Sequence, residues 1–233
     1  MLRLHQRMAK VFMLILLGVG LTLAQTKWLP DFYDQAGYIS IKDAEAVQVG
    51  SVAPGEALQI GLKDVGLFTG HVCPGAASGF MLTKKALKAL FGDQLPERGK
   101  IRIATMPDND LANVAAYICG ILPMNILGSH PDLIVDAKLK PQKPGKLVLI
   151  FERKDTGKMV KAVFNKSKIM DPKKIKAIHA YKKKFAEGKA GQEDIQKMGQ
   201  LFQSMVKKIV LNTPEGVFDV KPCTKYQFPA EGK

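Results

Sequence analysis

The chain has 233 residues, of which 46% are hydrophobic and 24% are charged, so it carries enough apolar side chains for a folded core and shows no bias toward disorder. Its 35 lysine and arginine residues outnumber 21 acidic ones, for a formal net charge of +14. No basic motif is interleaved with aromatic residues, which argues against nucleic acid as a partner. The charge is compatible with an anionic ligand, a lipid surface or an acidic protein, and equally with an ordinary solvated surface.

The first 24 residues have the pattern of a secretory signal peptide. Three basic residues precede an uncharged run over residues 11–23, and the small residues Thr22 and Ala24 stand at the −3 and −1 positions before Gln25. As a helix this run rises only about 20 Å, short of the roughly 30 Å hydrocarbon core. We therefore expect cleavage after Ala24, export to the periplasm or the extracellular space, and no stable membrane span afterwards. An uncleaved anchor is the alternative.

Residues 25–55 are predicted to form an N-terminal segment, with Trp28, Phe32 and Tyr33 packing over the edge of a main domain at residues 56–221. Within that domain, the apolar spacing predicts a short helix over residues 56–66 and a longer one over residues 76–90. Residues 100–106 alternate like a strand that Pro107 stops, and residues 111–121 are predicted as a helix. Asp108, Asn109 and Asp110 supply the capping chemistry of that helix.

The second half of the chain predicts a loop, a hairpin and two helices. Residues 127–144 are expected to be mostly loop, and the β-rich runs 147–151 and 159–164 form a hairpin around Gly157. A helix begins at Pro172 with an apolar face, and a second helix follows Gly191. A last strand at residues 217–220 precedes a tail at residues 222–233. The fold class is therefore α+β, with an antiparallel or mixed sheet, flanking helices and a C-terminal helical hairpin. The apolar face of the first helix contains Ile175, Ile178, Tyr181 and Phe185.

The concentrated chemistry lies in residues 70–75. In an extended loop, side chains two positions apart point the same way, so His71 and Cys73 can converge on one point. Pro74 suits the first turn of a helix, which places Cys73 at a helix N-terminus, where free N–H groups favour a thiolate. From Gly75 to Gly79 the side chains are small, which lets a ligand or another backbone approach closely.

Three interpretations of these residues remain open. His71 and Cys73, with Asp110 as a further ligand, could hold a transition metal such as zinc, nickel or copper, or a cofactor that contains one. Alternatively, Cys73 is the nucleophile and His71 the base of an enzyme acting on a carbonyl or thiol substrate. A structural role is the third, since a buried cysteine behaves as a small hydrophobe. Gly75 and Gly79 are the candidate cofactor-binding positions.

Two other cysteines and one histidine are weaker candidates. Cys119 lies among apolar residues and is expected in the core, and Cys223 stands alone. Three cysteines allow at most one disulfide within the chain, and no Cys-x-x-Cys motif is present. His130 stands on a Gly- and Pro-bounded loop from which it could reach a ligand.

The string from Phe68 to Gly75, followed by Gly79-Phe80, resembles the signature of the FmdE family, which is named after formylmethanofuran dehydrogenase and carries Gly-His-x-Cys-Pro-Gly before a Gly-aromatic pair. The hairpin turn Thr156-Gly157-Lys158 is also similar to that family. The resemblance implies an α+β core with a metal site around the His and Cys. It also implies association with an enzyme of C1 metabolism whose catalytic metal lies on other polypeptides, so it does not make this chain a dehydrogenase.

The chain departs from the family pattern after residue 108. Family members usually have Cys-Gly-x-Asp at a helix start and Thr-Gly-Cys-Thr after it, whereas this chain has Asp110-Leu111-Ala112-Asn113 and Cys119-Gly120-Ile121-Leu122. This departure argues against a complete metal or redox centre of the family type. Cys119 stands two positions early and is either a shifted partner of that site or, as we expect, a core residue. The expected partners are a metal or small-molecule ligand, with a second copy of the chain or an acidic protein as a macromolecular partner.

Overall fold

A computed structural model describes residues 26–121, 132–142, 144–170 and 172–229. The predicted signal peptide, His130 and the residue before Pro172 lie outside these ranges. The chain from Phe32 onward forms one compact unit, separate from the unit that ends at Asp31. Within the described ranges, no helix combines the length and apolarity needed to cross a membrane.

The N-terminal part of the compact unit contains a small antiparallel sheet. Strand β1 (Ile39–Ile41) pairs with strand β2 (Leu58–Ile60), and helix α1 (Ala44–Gln48) lies between them in the chain. This pairing crosses the expected boundary at residue 55. Phe32 and Tyr33 are buried and belong to the core, whereas Trp28 is only half-buried.

The predicted helix over residues 56–66 is wrong in its position. Residues 58–60 are strand β2, and helix α2 (Leu62–Thr69) begins only after Gly61. The Asp64 carboxylate accepts a hydrogen bond of 2.7 Å from the Gly61 N–H, which caps the helix there. Leu58 and Ile60 pair with Ile41 and Ile39 of β1. Their spacing of two residues therefore reflects the alternation of a strand rather than the face of a helix.

The main sheet has five strands: β3 (Ile101–Thr105), β4 (Leu133–Val135), β5 (Lys146–Arg153), β6 (Lys158–Asn165) and β7 (Phe218–Pro222). Their order in the sheet is β4-β3-β5-β6-β7. Neighbouring strands are antiparallel except β3 and β4, which are parallel, so the sheet is mixed. The predicted hairpin is confirmed as β5 and β6. Part of the predicted loop over residues 127–144 is instead strand β4, and residues 127–131 of it lie outside the described ranges.

Helix α3 (Pro74–Phe91) is the central helix of the fold. It lies against strands β5, β6 and β7, and it also contacts α2, helix α4 (Leu111–Cys119) and helix α6 (Gln192–Val210). Phe80, Leu82 and Ala86 of α3 are fully buried, as are Leu149 and Phe151 of β5. The core therefore lies between α3 and one face of the main sheet. The α+β expectation is confirmed.

The C-terminal helical hairpin consists of α5 (Pro172–Ala186) and α6. On the predicted apolar face of α5, Ile178 is buried, but Ile175 and Phe185 are exposed. After β7, the chain continues along the main sheet, where the Cys223 N–H donates to the Met159 carbonyl at 3.0 Å. Arg102 then donates to the Pro229 carbonyl at 3.2 Å, so residues 223–229 are attached to the domain.

Candidate functional site

The turn that carries His71 follows directly from the end of α2. Gly70 adopts the left-handed conformation with φ of 78°, which ends the helix and which glycine takes without strain. The Thr69 hydroxyl lies 2.9 Å from the Val65 carbonyl and 2.7 Å from the His71 carbonyl. The backbone at His71 is therefore held in place, while its side chain is exposed.

Val72 anchors the next part of the turn to α6. Its side chain is buried, and its carbonyl accepts a hydrogen bond of 3.0 Å from the Gln203 amide. The Gln203 side-chain oxygen in turn accepts from the Tyr33 hydroxyl at 2.9 Å. Burial raises the pKa of Tyr33, which keeps this hydroxyl protonated as the donor. The loop before Cys73 is thus braced by residues from both ends of the domain.

Cys73 is the N-cap residue of α3, as the sequence predicts. Its backbone is extended, with φ of −104° and ψ of 174°, and its sulfur accepts from the Ala76 N–H at 3.5 Å. Pro74 occupies the first helical position, where its missing N–H leaves no unsatisfied donor. The sulfur is half-buried and lies at the N-terminus of the helix, beside the Ala76 N–H.

Asp110 meets Cys73 across Gly75. A Cβ built on Gly75 would lie 3.5 Å from the Cys73 Sγ and 3.8 Å from the Asp110 Oδ2. The lack of a side chain at Gly75 therefore leaves a space that a thiol and a carboxylate border together. The sequence named all three residues as candidates, and the packing of α3 against α4 brings them to one place.

Asn109, rather than Asp110, caps helix α4. The Asn109 Oδ1 accepts from the Leu111 N–H at 3.3 Å, and its amide nitrogen donates to the Thr105 hydroxyl at 3.0 Å and the Val148 carbonyl at 3.3 Å. Asp110 accepts no capping hydrogen bond, and its side chain is exposed. Because Asn109 caps the helix, the Asp110 carboxylate takes no part in capping. The sequence of residues 108–110 alone did not show which of these side chains would form the cap.

Gly79 contacts protein rather than open space. It is buried, and a Cβ placed on it would lie 2.8 Å from the Val114 Cβ. The glycine lets α3 and α4 approach closely, which in turn places Asp110 near the start of α3. Its role in binding a cofactor stays a prediction.

His71 is not assembled into a completed metal site. In the parts of the chain that the structure describes, no three His, Cys, Asp or Glu side chains form a group that could hold a metal ion. The His71 side chain also makes no hydrogen bond to a described residue. It remains on the solvent side of the turn, two positions before Cys73, as an unengaged imidazole.

The other two cysteines are separate from this site. Cys119 is fully buried, as expected, and burial raises the pKa of its thiol to about 12. Cys223 is half-buried after β7, and all three cysteines are free thiols. A thiol such as Cys119 that stays protonated is a poor metal ligand and a poor nucleophile, which leaves Cys73 as the sulfur of the candidate site.

An aromatic pair joins the end of α2 to α4. The rings of Phe68 and Tyr117 stack with centroids 4.5 Å apart and planes 11° apart. Leu67 and Phe68 are nevertheless exposed, at 63% and 42%. No local pattern points to Tyr117, because its stacking partner is distant in the chain.

Comparison with known proteins gives one family match. A family model described as "FmdE, Molybdenum formylmethanofuran dehydrogenase operon" matches residues 68–219. That range includes the whole turn, both helix starts and the main sheet up to the first two residues of β7. No curated protein matches the chain, and no solved structure does.

Proposed function

This chain belongs to the FmdE family, and from that membership we propose that it binds a transition metal ion, or a cofactor containing one, at the N-terminus of α3. The observation that carries the proposal is the juxtaposition of the Cys73 sulfur and the Asp110 carboxylate across Gly75. Sulfur and oxygen donors at one open position are what a metal site requires and what a packed core avoids.

The donor set fits a borderline or soft metal. Cys73 supplies sulfur, Asp110 supplies oxygen, and the exposed His71 can supply nitrogen by rotation of its side chain. Zinc, nickel and copper(I) accept such mixtures, whereas magnesium and calcium prefer oxygen alone. A metal held by two or three protein ligands keeps an open position for a bound molecule, to which it would supply Lewis-acid chemistry.

The chain's own residues would organise this site before a metal arrives. Gln203 and Tyr33 hold the Val72 carbonyl, so Cys73 starts from a braced turn. Asn109 holds the start of α4, so Asp110 is offered without rearrangement of the helix. Such preorganisation reduces the conformational entropy lost on binding.

Metal affinity of paired variants tests the proposal. The full chain is titrated with Zn²⁺, Ni²⁺ and Cu⁺ in competition with a chromophoric chelator. Cys73→Ser and Asp110→Asn should weaken binding by about 10- to 100-fold or more, since removal of even an outer hydrogen-bond partner has that effect. Cys223→Ser and Asp108→Asn are the matched controls and should bind like the wild type. Equal affinity of Cys73→Ser and wild type for every metal would refute the metal site.

His71 is tested by the same titration. His71→Ala should reduce the affinity, and His179→Ala, which removes an exposed histidine from α5, should not.

If the wild type binds none of the metals, the second candidate function applies, in which Cys73 is a nucleophile. Cys73 is a better candidate nucleophile than Cys119, because Cys73 is half-buried beside a backbone N–H and Cys119 is fully buried. Rapid labelling of Cys73 alone by iodoacetamide would support this function.

We also propose that the protein is exported by its N-terminal 24 residues. The support is the order of basic, apolar and small residues in that segment. Association with a larger C1-metabolising enzyme, as a non-catalytic accessory protein, is the corresponding proposal for a macromolecular partner.

A further inference from the structure

A groove of about 1100 Å³ lies on the main sheet, away from the candidate metal site. Its floor includes Val148 and Ile150 of β5 and Lys161 and Val163 of β6. These residues alternate with Leu149 and with the other core residues, so the groove is on the sheet face opposite to the core. Part of its border is the chain after β7, which includes Tyr226.

Two segments that border the groove are tied to each other. The Tyr226 hydroxyl hydrogen-bonds to Asp136, which caps the short 3-10 helix Ala137–Leu139. Burial and this carboxylate raise the pKa of Tyr226 to about 12, so the hydroxyl remains a donor at ordinary pH. The groove is therefore a built concavity with a braced wall rather than a gap beside a loose terminus.

The groove is strongly basic. Two acids, Glu215 and Asp219, line it together with six lysines. In the described part of the chain, one of these lysines, Lys221, forms an ion pair. Its ammonium lies 2.9 Å from the Asp219 carboxylate. The six are Lys138, Lys140, Lys146, Lys161, Lys221 and Lys225.

Two of the lysines oppose each other directly. Lys161 of β6 and Lys221 of β7 are register partners on adjacent strands. Like charges in that position destabilise a sheet, and a concave surface with apolar walls strengthens their combined potential. The groove therefore concentrates positive charge where folding alone would disperse it.

The floor between these charges also presents accessible apolar surface. Val163 of β6 is half-buried, as are Leu139 and Pro141 at the border, and the half-buried Tyr226 adds aromatic surface. We propose that the groove binds a small polyanion, a molecule with two or more phosphate or carboxylate groups on an apolar body. The lysines bind the anionic groups and the floor contacts the body. The volume is close to the roughly 300–1,000 Å³ of small-molecule sites, which favours a small ligand over a protein.

A fluorescent polyanion with an apolar body, pyrenetetrasulfonate, provides the test. Its anisotropy is titrated with the full chain at about 150 mM salt, where long-range attraction is screened. The double variant Lys161→Gln, Lys221→Gln should weaken binding by about tenfold or more, since two charged contacts are lost. It should fold at least as stably as the wild type, because a like-charge pair has been removed. The control variant Lys182→Gln, Lys183→Gln, on exposed α5, loses the same charge and should bind unchanged.

Competitors identify the anionic group. Adenosine triphosphate presents phosphates on an apolar body, benzenehexacarboxylate presents carboxylates on one, and pyrophosphate presents charge alone. The proposal is supported if adenosine triphosphate or benzenehexacarboxylate displaces pyrenetetrasulfonate at concentrations where pyrophosphate displaces less of it. The better of the two competitors shows whether the groove prefers phosphate or carboxylate. Displacement by hexaglutamate alone, or equal weakening by both double variants, would overturn it.

Cys223 provides an independent readout of location, because it lines the groove. Bound pyrenetetrasulfonate should slow its alkylation by N-ethylmaleimide, measured by peptide mass spectrometry, and should leave Cys73 unaffected. Binding without protection of Cys223 would contradict the assignment to this groove. The result does not depend on the metal site, since Cys73 and Asp110 do not line the groove.

Discussion

Gly75 and Gly79 lie one turn apart in α3, and their surroundings differ. At Gly75 an added Cβ would be in ordinary contact with the Cys73 sulfur and the Asp110 carboxylate, at 3.5 Å and 3.8 Å. At Gly79 it would lie 2.8 Å from the Val114 Cβ, closer than packed carbon atoms allow. The first glycine therefore leaves space beside the Cys73 sulfur and the Asp110 carboxylate, and the second lets α4 pack closely against α3.

Alanine substitution should separate these roles. Gly75→Ala should keep or raise the free energy of unfolding, by up to about 1 kcal/mol from helix propensity, while it weakens metal binding by filling the space. Gly79→Ala should lower the free energy of unfolding by about 1–3 kcal/mol, because α3 and α4 must move apart. Urea unfolding and chelator competition measure the two effects. Unchanged metal affinity of Gly75→Ala would show that the space beside Gly75 is not the binding position.

At the scale of the secondary-structure elements, Arg98 joins two helices. It donates to the Tyr117 carbonyl at 3.1 Å and the Ile118 carbonyl at 3.2 Å, which caps the C-terminus of α4. Its remaining nitrogen lies 3.1 Å from the carboxylate of Asp43, the N-cap residue of α1. A hydrogen bond from the Ala46 N–H, followed by Arg98, lowers the pKa of Asp43, so the carboxylate is charged at neutral pH.

Arg98→Ala should destabilise the protein by about 2–3 kcal/mol, since a partly buried cation with three hydrogen bonds is lost. Lys88→Ala is the comparison, because Lys88 contacts Asp93 in an exposed ion pair and its removal should have no measurable effect. Chemical denaturation of both variants provides the measurement. Equal stability of Arg98→Ala and wild type would mean that the cap and the ion pair contribute nothing.

Local patterns predicted some elements better than others. The hairpin of β5 and β6 and the start of α3 at Cys73-Pro74 follow from neighbouring residues, and both are confirmed. Strand β4 has only three residues and exists because it pairs with β3, so no local signal separated it from the surrounding loop. On α5 the apolar spacing placed Ile175, Ile178 and Phe185 on one face, but Ile175 and Phe185 are exposed because only part of that face meets α6.

At the scale of the whole molecule, the excess of positive charge is partly organised. Of the lysines that produce the net charge of +14, six line one groove. Composition indicated an anionic partner or a solvated surface without deciding between them. The order of strands β5, β6 and β7 collects charges from distant parts of the chain on one face of the sheet.

Export also belongs to this scale. Protein produced with its full N-terminus and recovered from outside the cytoplasm should begin at Gln25, which intact mass and terminal sequencing would detect. Ala24→Lys should prevent cleavage, since the −1 position requires a small residue, and the uncleaved chain should remain with the membrane fraction. Recovery of a secreted form that retains Met1 would contradict the proposal.

The sequence by itself determined the α+β class, the family and the identity of the candidate residues, because these depend on local periodicity and on one short motif. The tertiary structure decided which candidates meet. Asp110 lies across Gly75 from Cys73 because Gly79 lets two helices pack closely, and the lysines line one groove because three strands lie side by side. Such contacts join residues far apart in the chain, and their geometry is fixed by packing in the core, which local sequence does not encode.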